Sequence, residues 1–149
     1  MKNIFAIIAL LSLTATAYAK PGQITAADLV GVWKLIKSEN PMPDGTTVSY
    51  CNEVHGYIIY TSEGYVSVSL NCGPQLNESE PANVSGRKFF YTGTYDVKGS
   101  EVTHHLENAS DTQLIGSDSK RYVTFARSVL VLTGENQGQS FSAFWQKIR

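Results

Sequence analysis

The segment GTYDVKGSEVTHHLE, residues 93–107, predicts a β-hairpin around which the rest of the chain is organised. Its two extended halves meet at Lys98-Gly99-Ser100, a typical turn composition. The second half carries His104, His105 and Glu107, an unusual density of titratable side chains for a strand that only forms a hydrophobic wall. The hairpin is therefore expected to carry part of any functional site.

Short alternating segments separated by turn residues recur on both sides of this hairpin. Eight Tyr, six Phe and two Trp, with frequent Val and Thr, favour β structure. The only predicted helix is one turn at 25–28, which Thr25 is placed to cap. The predicted strands are 32–38, 54–61, 65–70, 88–97, 101–107, 120–126, 128–133 and 140–148. About eight antiparallel strands predict an all-β fold, either an up-and-down barrel or a sandwich, and such a barrel has room for its own side chains or one small ligand.

The first nineteen residues have the pattern of a cleavable secretory signal peptide. Lys2 precedes a short apolar run at 4–13, and Ala17-Tyr18-Ala19 is a small-x-small cleavage site. The run is shorter than the roughly 20 residues that a membrane helix needs. We therefore predict cleavage after Ala19, one domain at 20–149, and a periplasmic or secreted location.

Charge and motif content exclude several classes of partner. Twelve Lys and Arg stand against thirteen Asp and Glu, without long blocks of one sign, so neither nucleic acid nor an anionic membrane surface is expected as a partner. The sequence has no phosphate-binding loop, dinucleotide fingerprint or nucleophile elbow, and no cofactor is predicted. A metal site is not expected, because neighbouring strand residues such as His104 and His105 point to opposite faces.

The two cysteines, Cys51 and Cys72, flank a predicted hairpin whose turn is Ser62-Glu63-Gly64. Counting outward from that turn brings the two cysteines within two or three positions of facing each other. In an oxidising compartment this arrangement favours a disulfide bond. A metal-binding or catalytic pair of thiols is the alternative.

Side chains alternate between the two faces of a β-strand, so residues two apart are expected on the same side of the barrel wall. In the His-bearing strand, Val102, His104 and Leu106 share the apolar face and are expected inside, whereas Thr103, His105 and Glu107 are expected outside. Arg121 shares its face with Val123 and Phe125 and is expected inside as well. The same interior is predicted to be lined by Tyr91, Tyr95, Val97, Val66, Val68 and Leu70.

Several motifs resemble the bacterial lipocalin-like domain family in order and spacing, over nearly the whole mature chain. Gly31-Val32-Trp33, after the predicted helical turn, resembles the Gly-x-Trp entry to the first lipocalin strand, and gives Gly31 and Trp33 structural roles. The matching segments are LVGVWKL (29–35), GYIIYT (56–61), GYVSV (64–68), GTY (93–95), THH (103–105) with Glu107, and Gly116 followed by Arg121. The resemblance implies a calycin-type β-barrel.

The predicted function is binding of a small, mainly apolar or amphipathic molecule in the barrel. The candidate ligand contacts are His104, Arg121, Tyr91, Tyr95, Val66 and Val68. An unpartnered buried guanidinium is costly, so Arg121 either contacts a carboxylate of the ligand or stacks on Trp33 and closes the barrel. His104 is either a ligand contact or a core histidine bonded to Tyr91 or Tyr95.

Two other classes of function stay open. One is a barrel enzyme of the isomerase, cyclase or lyase type, in which His104 transfers a proton and Arg121 holds an anionic intermediate. The other is an envelope interaction module that binds a protein through the outer face with His105 and Glu107. Loop 71–87 is either a lid over the barrel mouth or a plain connection.

Overall fold

The computed structural model describes residues 22–49, 53–73, 88–136 and 138–148. The predicted signal peptide 1–19, Cys51 and most of the candidate lid lie outside these residues, so cleavage after Ala19, the disulfide and the lid stay predictions. Cys72 is buried at the end of a strand. No helix within the described ranges is long and apolar enough to cross a membrane.

The described residues form nine strands and two short helices. One is the four-residue helix α1, with Thr25 at its N-cap position, where the Asp28 carboxylate accepts hydrogen bonds from the backbone N–H and the hydroxyl of Thr25. The other is a 3₁₀ helix at Thr112–Leu114. The bounds are α1 Ala26–Leu29, β1 Gly31–Pro41, β2 Thr47–Val48, β3 Val54–Tyr60, β4 Tyr65–Cys72, β5 Lys88–Lys98, β6 Glu101–Ala109, β7 Asp118–Ala126, β8 Val129–Asn136 and β9 Gln139–Lys147.

Eight of these strands form a closed antiparallel barrel. From β3 to β9, each strand pairs with the next in sequence, and β1 pairs with both β3 and β9 to close the sheet. The two-residue strand β2 pairs only with the end of β1. The predicted barrel is thus confirmed, with all eight predicted strands present and each end within three residues of its predicted position.

The central hairpin has the predicted inner and outer faces. Val102, His104 and Leu106 of β6 are buried, and the residues between them are more exposed. On β7, Val123 is buried as expected, but Phe125 is 40% exposed, so its predicted interior position is wrong. Phe125 lies next to the last residue of its strand, where its ring reaches Trp33 at 6.2 Å between centroids without being enclosed.

Trp33 lies near the start of β1, next to α1. Its indole Nε1 donates to the carbonyl of Leu29 at 2.7 Å, and the ammonium of Lys147 lies 5.1 Å from its ring centroid. Gly31 makes this contact possible, because a Cβ there would lie 2.6 Å from the Lys147 side chain. The alternative in which Arg121 stacks on Trp33 is therefore wrong: Lys147 occupies that place, since β9 pairs with β1 beside Trp33.

Candidate functional site

An open cavity of about 950 Å³ lies inside the barrel, at the end where β1 finishes and β3 begins. The inner faces of β1 and β3–β6 give it a mainly apolar wall, because inward residues alternate with outward ones along each strand. Apolar residues on this wall include Leu35, Ile58, Val68, Leu70, Phe89 and Leu106. The cavity has the size of a small-molecule site.

Arg121 is a charged residue of the cavity wall, and its guanidinium contacts two neighbouring groups. Its guanidinium carbon lies 4.7 Å from the ring centroid of Phe141, and Nη1 donates to the carbonyl of Lys120 at 2.7 Å. Among the described residues, no carboxylate oxygen lies within 4 Å of the guanidinium, although Asp118 and Glu135 also line the cavity. Most of its N–H donors are left for another partner.

Gly134 explains why Arg121 can lie along the inner wall. Tyr122 pairs with Thr133, which places Arg121 beside Gly134 on the neighbouring strand β8. A Cβ on Gly134 would lie 3.1 Å from Cδ and 3.2 Å from Nη1 of Arg121. With glycine there, the side chain crosses β8 and reaches Phe141 on β9.

His104 lies inside the barrel and is bonded at both ring nitrogens. The hydroxyl of Tyr60 lies 2.8 Å from Nε2, and that of Tyr91 lies 2.6 Å from Nδ1. Burial, with a smaller contribution from the positive charge of Arg121, lowers the pKa of His104 from 6.5 to about 3, so the imidazole is neutral at physiological pH. Burial also raises the pKa of Tyr91 to about 12. Both phenols keep their protons.

The structure divides the predicted ligand contacts into two groups. Arg121, Tyr91 and Val68 line the cavity. His104, Tyr95 and Val66 are buried in the core next to it and are not part of its wall. Tyr95 donates instead to the carbonyl of Thr61 at 2.9 Å. His104 is therefore the core histidine of the second alternative. It is bonded to Tyr91, as that alternative allowed, and also to Tyr60 in place of Tyr95.

The aromatic residues of the wall that sequence reasoning missed include Phe141 and Trp145 of β9. Alternation along β9 was the available signal, because Phe141, Ala143 and Trp145 share one face. The buried Nε1 of Trp145 has no hydrogen-bond partner within the part of the chain that the structure describes.

His105 lies on the outer face, as predicted, and joins three strands. Its Nδ1 lies 2.7 Å from a carboxylate oxygen of Asp118 on β7, and its Nε2 lies 2.9 Å from one of Asp96 on β5. These two carboxylates, Asp118 foremost, raise the pKa of His105 above 6.5. No group of three His, Cys, Asp or Glu side chains in the described ranges is arranged to hold a metal ion.

A family model described as a lipocalin-like domain matches residues 30–148. No curated protein matches the sequence.

Three solved structures resemble the chain at low sequence identity. A protein from Bacteroides eggerthii is 16% identical, with a TM-score of 0.43 over 79% of this chain and 98% of that one. A mutant of the fluorescent protein UnaG is 14% identical, with a TM-score of 0.40 over 84% and 99%. A fatty acid transporter, REP1-NXSQ, is 14% identical, with a TM-score of 0.43 over 83% and 98%.

Proposed function

We propose that this chain, which belongs to the lipocalin-like domain family, binds a small, mainly apolar molecule with a carboxylate group inside the barrel. The observation that carries this proposal is the guanidinium of Arg121 at the wall of a cavity whose β3–β6 side is mainly apolar, without a carboxylate within 4 Å among the described residues. A carboxylate is its natural complement, because the two groups form charge-assisted hydrogen bonds.

The shape of the interior favours this function over the two alternatives. An interaction module that works only through its outer face needs no internal space, whereas this barrel contains a cavity of about 950 Å³. An enzyme that uses His104 for proton transfer needs that imidazole at the ligand. His104 is instead 0% exposed, and each ring nitrogen already has a phenol partner.

Replacing Arg121 with Gln tests the proposal. With dodecanoate as the probe, we expect Arg121→Gln to weaken binding about ten- to a hundredfold, the usual value of hydrogen bonds to a charged group. Binding of methyl dodecanoate, which has the same chain and no charge, should change less than about twofold. Isothermal titration calorimetry at constant ionic strength measures both affinities.

Arg127→Gln is the matched control. It removes the same charge from the exposed turn between β7 and β8, outside the cavity, and should leave both affinities unchanged. Equal losses for the acid and the ester in Arg121→Gln would show that Arg121 supports the wall and does not recognise the carboxylate. No saturable binding of either probe by the wild-type protein would contradict the proposed function.

We also propose that the protein is exported and contains the Cys51–Cys72 disulfide. The signal-peptide pattern of residues 1–19 and the cysteine pair support this proposal. In a Gram-negative host, the intact mass of the periplasmic protein is expected to be that of residues 20–149 less two hydrogens. Retention of residues 1–19 would contradict export, and two free thiols in unfolded, unreduced protein would contradict the disulfide.

A further inference from the structure

His104 and its two phenol neighbours leave one hydroxyl hydrogen without an acceptor. A neutral imidazole has one N–H donor and one nitrogen lone pair. It therefore accepts a hydrogen bond from one of Tyr60 and Tyr91 and donates to the other. The phenol that accepts keeps its own hydrogen, and no second acceptor for that hydrogen occurs among the residues that the structure describes.

The surroundings of the two phenols decide which one keeps the spare hydrogen. Tyr60 is 1% exposed and does not line the cavity, so an unused O–H there would be buried without a partner. Tyr91 is buried as well, at 3% exposure, but it lines the cavity, where water or a ligand can accept the hydrogen bond. Because an unpaired buried donor is costly, the favoured arrangement has Tyr60 donating to Nε2 and the Nδ1–H of His104 donating to Tyr91.

We propose that Tyr91 donates a hydrogen bond to an acceptor oxygen of the ligand, and that His104 is the positioning residue that turns its hydroxyl hydrogen toward the cavity. This inference rests on the proposed function and adds a second polar contact to it. Arg121 and Tyr91 both offer donors to the cavity. The ligand group that they recognise is therefore an acceptor, a carboxylate or a carbonyl, and not an amine.

Binding of three probes with the same alkyl chain tests the contact. We expect Tyr91→Phe to weaken binding of both dodecanoate and methyl dodecanoate about five- to twentyfold, because each presents a carbonyl oxygen. Binding of dodecylamine should not weaken. This pattern differs from that of Arg121→Gln, which affects the acid and spares the ester.

Tyr60→Phe is the matched control for the loss of a buried hydroxyl bonded to His104. It removes the phenol at Nε2 and leaves the Nδ1–H bond to Tyr91 in place, so affinity for dodecanoate should stay within about twofold of wild type. An affinity for dodecanoate that is unchanged in Tyr91→Phe, or lowered equally by Tyr60→Phe, would overturn the inference.

The position of the imidazole proton gives a test that needs no ligand. Long-range ¹H–¹⁵N spectra of the ligand-free protein at neutral pH should show His104 protonated at Nδ1, and still so in Tyr60→Phe. Protonation at Nε2 would overturn the positioning role of His104, even if dodecanoate binds. If wild-type protein binds none of the three probes, the proposed function and the role of Tyr91 fail together. Binding of dodecanoate with equal affinity by wild type and Tyr91→Phe overturns the inference alone.

Discussion

Gly93→Ala is expected to lower the free energy of unfolding by at least about 3 kcal/mol, among the largest effects of any single methyl group added to this barrel. A Cβ at Gly93 would lie 1.8 Å from the carbonyl oxygen of His105 and 3.0 Å from the backbone nitrogen of Glu107. Both contacts are with backbone, so no side-chain rotation relieves them. The strands β5 and β6 would have to separate at this point of their pairing.

Gly93 lies at the point where this pairing changes register. Thr92 pairs with Asn108 and Gly93 with Leu106, so β6 has one extra residue there. Such a bulge bends the strand and brings the backbones close together. Tyr91 and Tyr95, on either side of Gly93, point into the same interior because residues two apart on a strand share a face.

Gly99→Ala is the control for Gly93→Ala. Gly99 lies in the turn of the same hairpin at φ +65°, and a Cβ there meets nothing within 4 Å. Only backbone strain is added, so a loss of about 1 kcal/mol is expected. Urea denaturation followed by tryptophan fluorescence measures both variants. Equal losses would show that the β5–β6 backbones separate easily and that the close approach at Gly93 is not a constraint.

The strands and their faces could be predicted from sequence because alternation is a local property. Val102, His104 and Leu106 are two residues apart, and nothing beyond their own strand is needed to place them together. The Gly-x-Trp motif likewise located the first barrel strand. The prediction for Phe125 was wrong because alternation along a strand shows which face a side chain is on. It does not show whether the neighbouring strands extend far enough to bury that side chain.

The partners of the site residues could not be predicted from local sequence, because they depend on strand register and barrel closure. Tyr60 bonds to His104 across 44 residues of chain, and Lys147 reaches Trp33 only because β9 pairs with β1. Arg121 contacts Phe141 through the space above Gly134 on a third strand. Each of these three contacts joins residues from different strands, and none of them was predicted, whereas the bond between Tyr91 and His104 was among the predicted alternatives.

Acidification from pH 6.5 to 4.5 is expected to lower the free energy of unfolding by roughly 2 kcal/mol through His104 alone. In the folded barrel the pKa of His104 is lowered to about 3, chiefly by burial, whereas in the unfolded chain it is near 6.5. Between these values the unfolded chain binds a proton that the folded protein does not. The contribution of the neutral His104 to the free energy of unfolding is therefore fully present above pH 6.5 and is lost as the pH decreases.

The other shifted groups do not account for a loss in this pH range. Asp118 and Asp96 raise the pKa of His105 in the folded protein. The stability that His105 contributes is therefore fully present below pH 6.5 and is lost only as the pH rises through this raised pKa. Asp28, Asp44 and Glu63 have lowered pKa values, so the stability that they contribute is present above their ordinary values of 3.8, 3.8 and 4.5 and begins to be lost only near and below them. Of these groups only Glu63 reaches the acid end of the interval from pH 6.5 to 4.5, so most of the loss in that interval comes from His104.

His104→Gln separates this titration from the general acid sensitivity of the protein. Glutamine keeps a donor and an acceptor for the two phenols but does not ionise in this range. The slope of unfolding free energy against pH, from urea denaturation at half-unit steps, should therefore flatten in His104→Gln. The wild-type slope should remain in His105→Asn, because His105 does not contribute in this interval.

A substitution that changes the free energy of unfolding equally at every pH does not alter the slope, so the comparison of slopes reports only on the titration. Equal slopes in wild type and His104→Gln would mean that His104 binds its proton in the folded barrel, which requires the hydrogen bond between Tyr60 and Nε2 to reverse its direction.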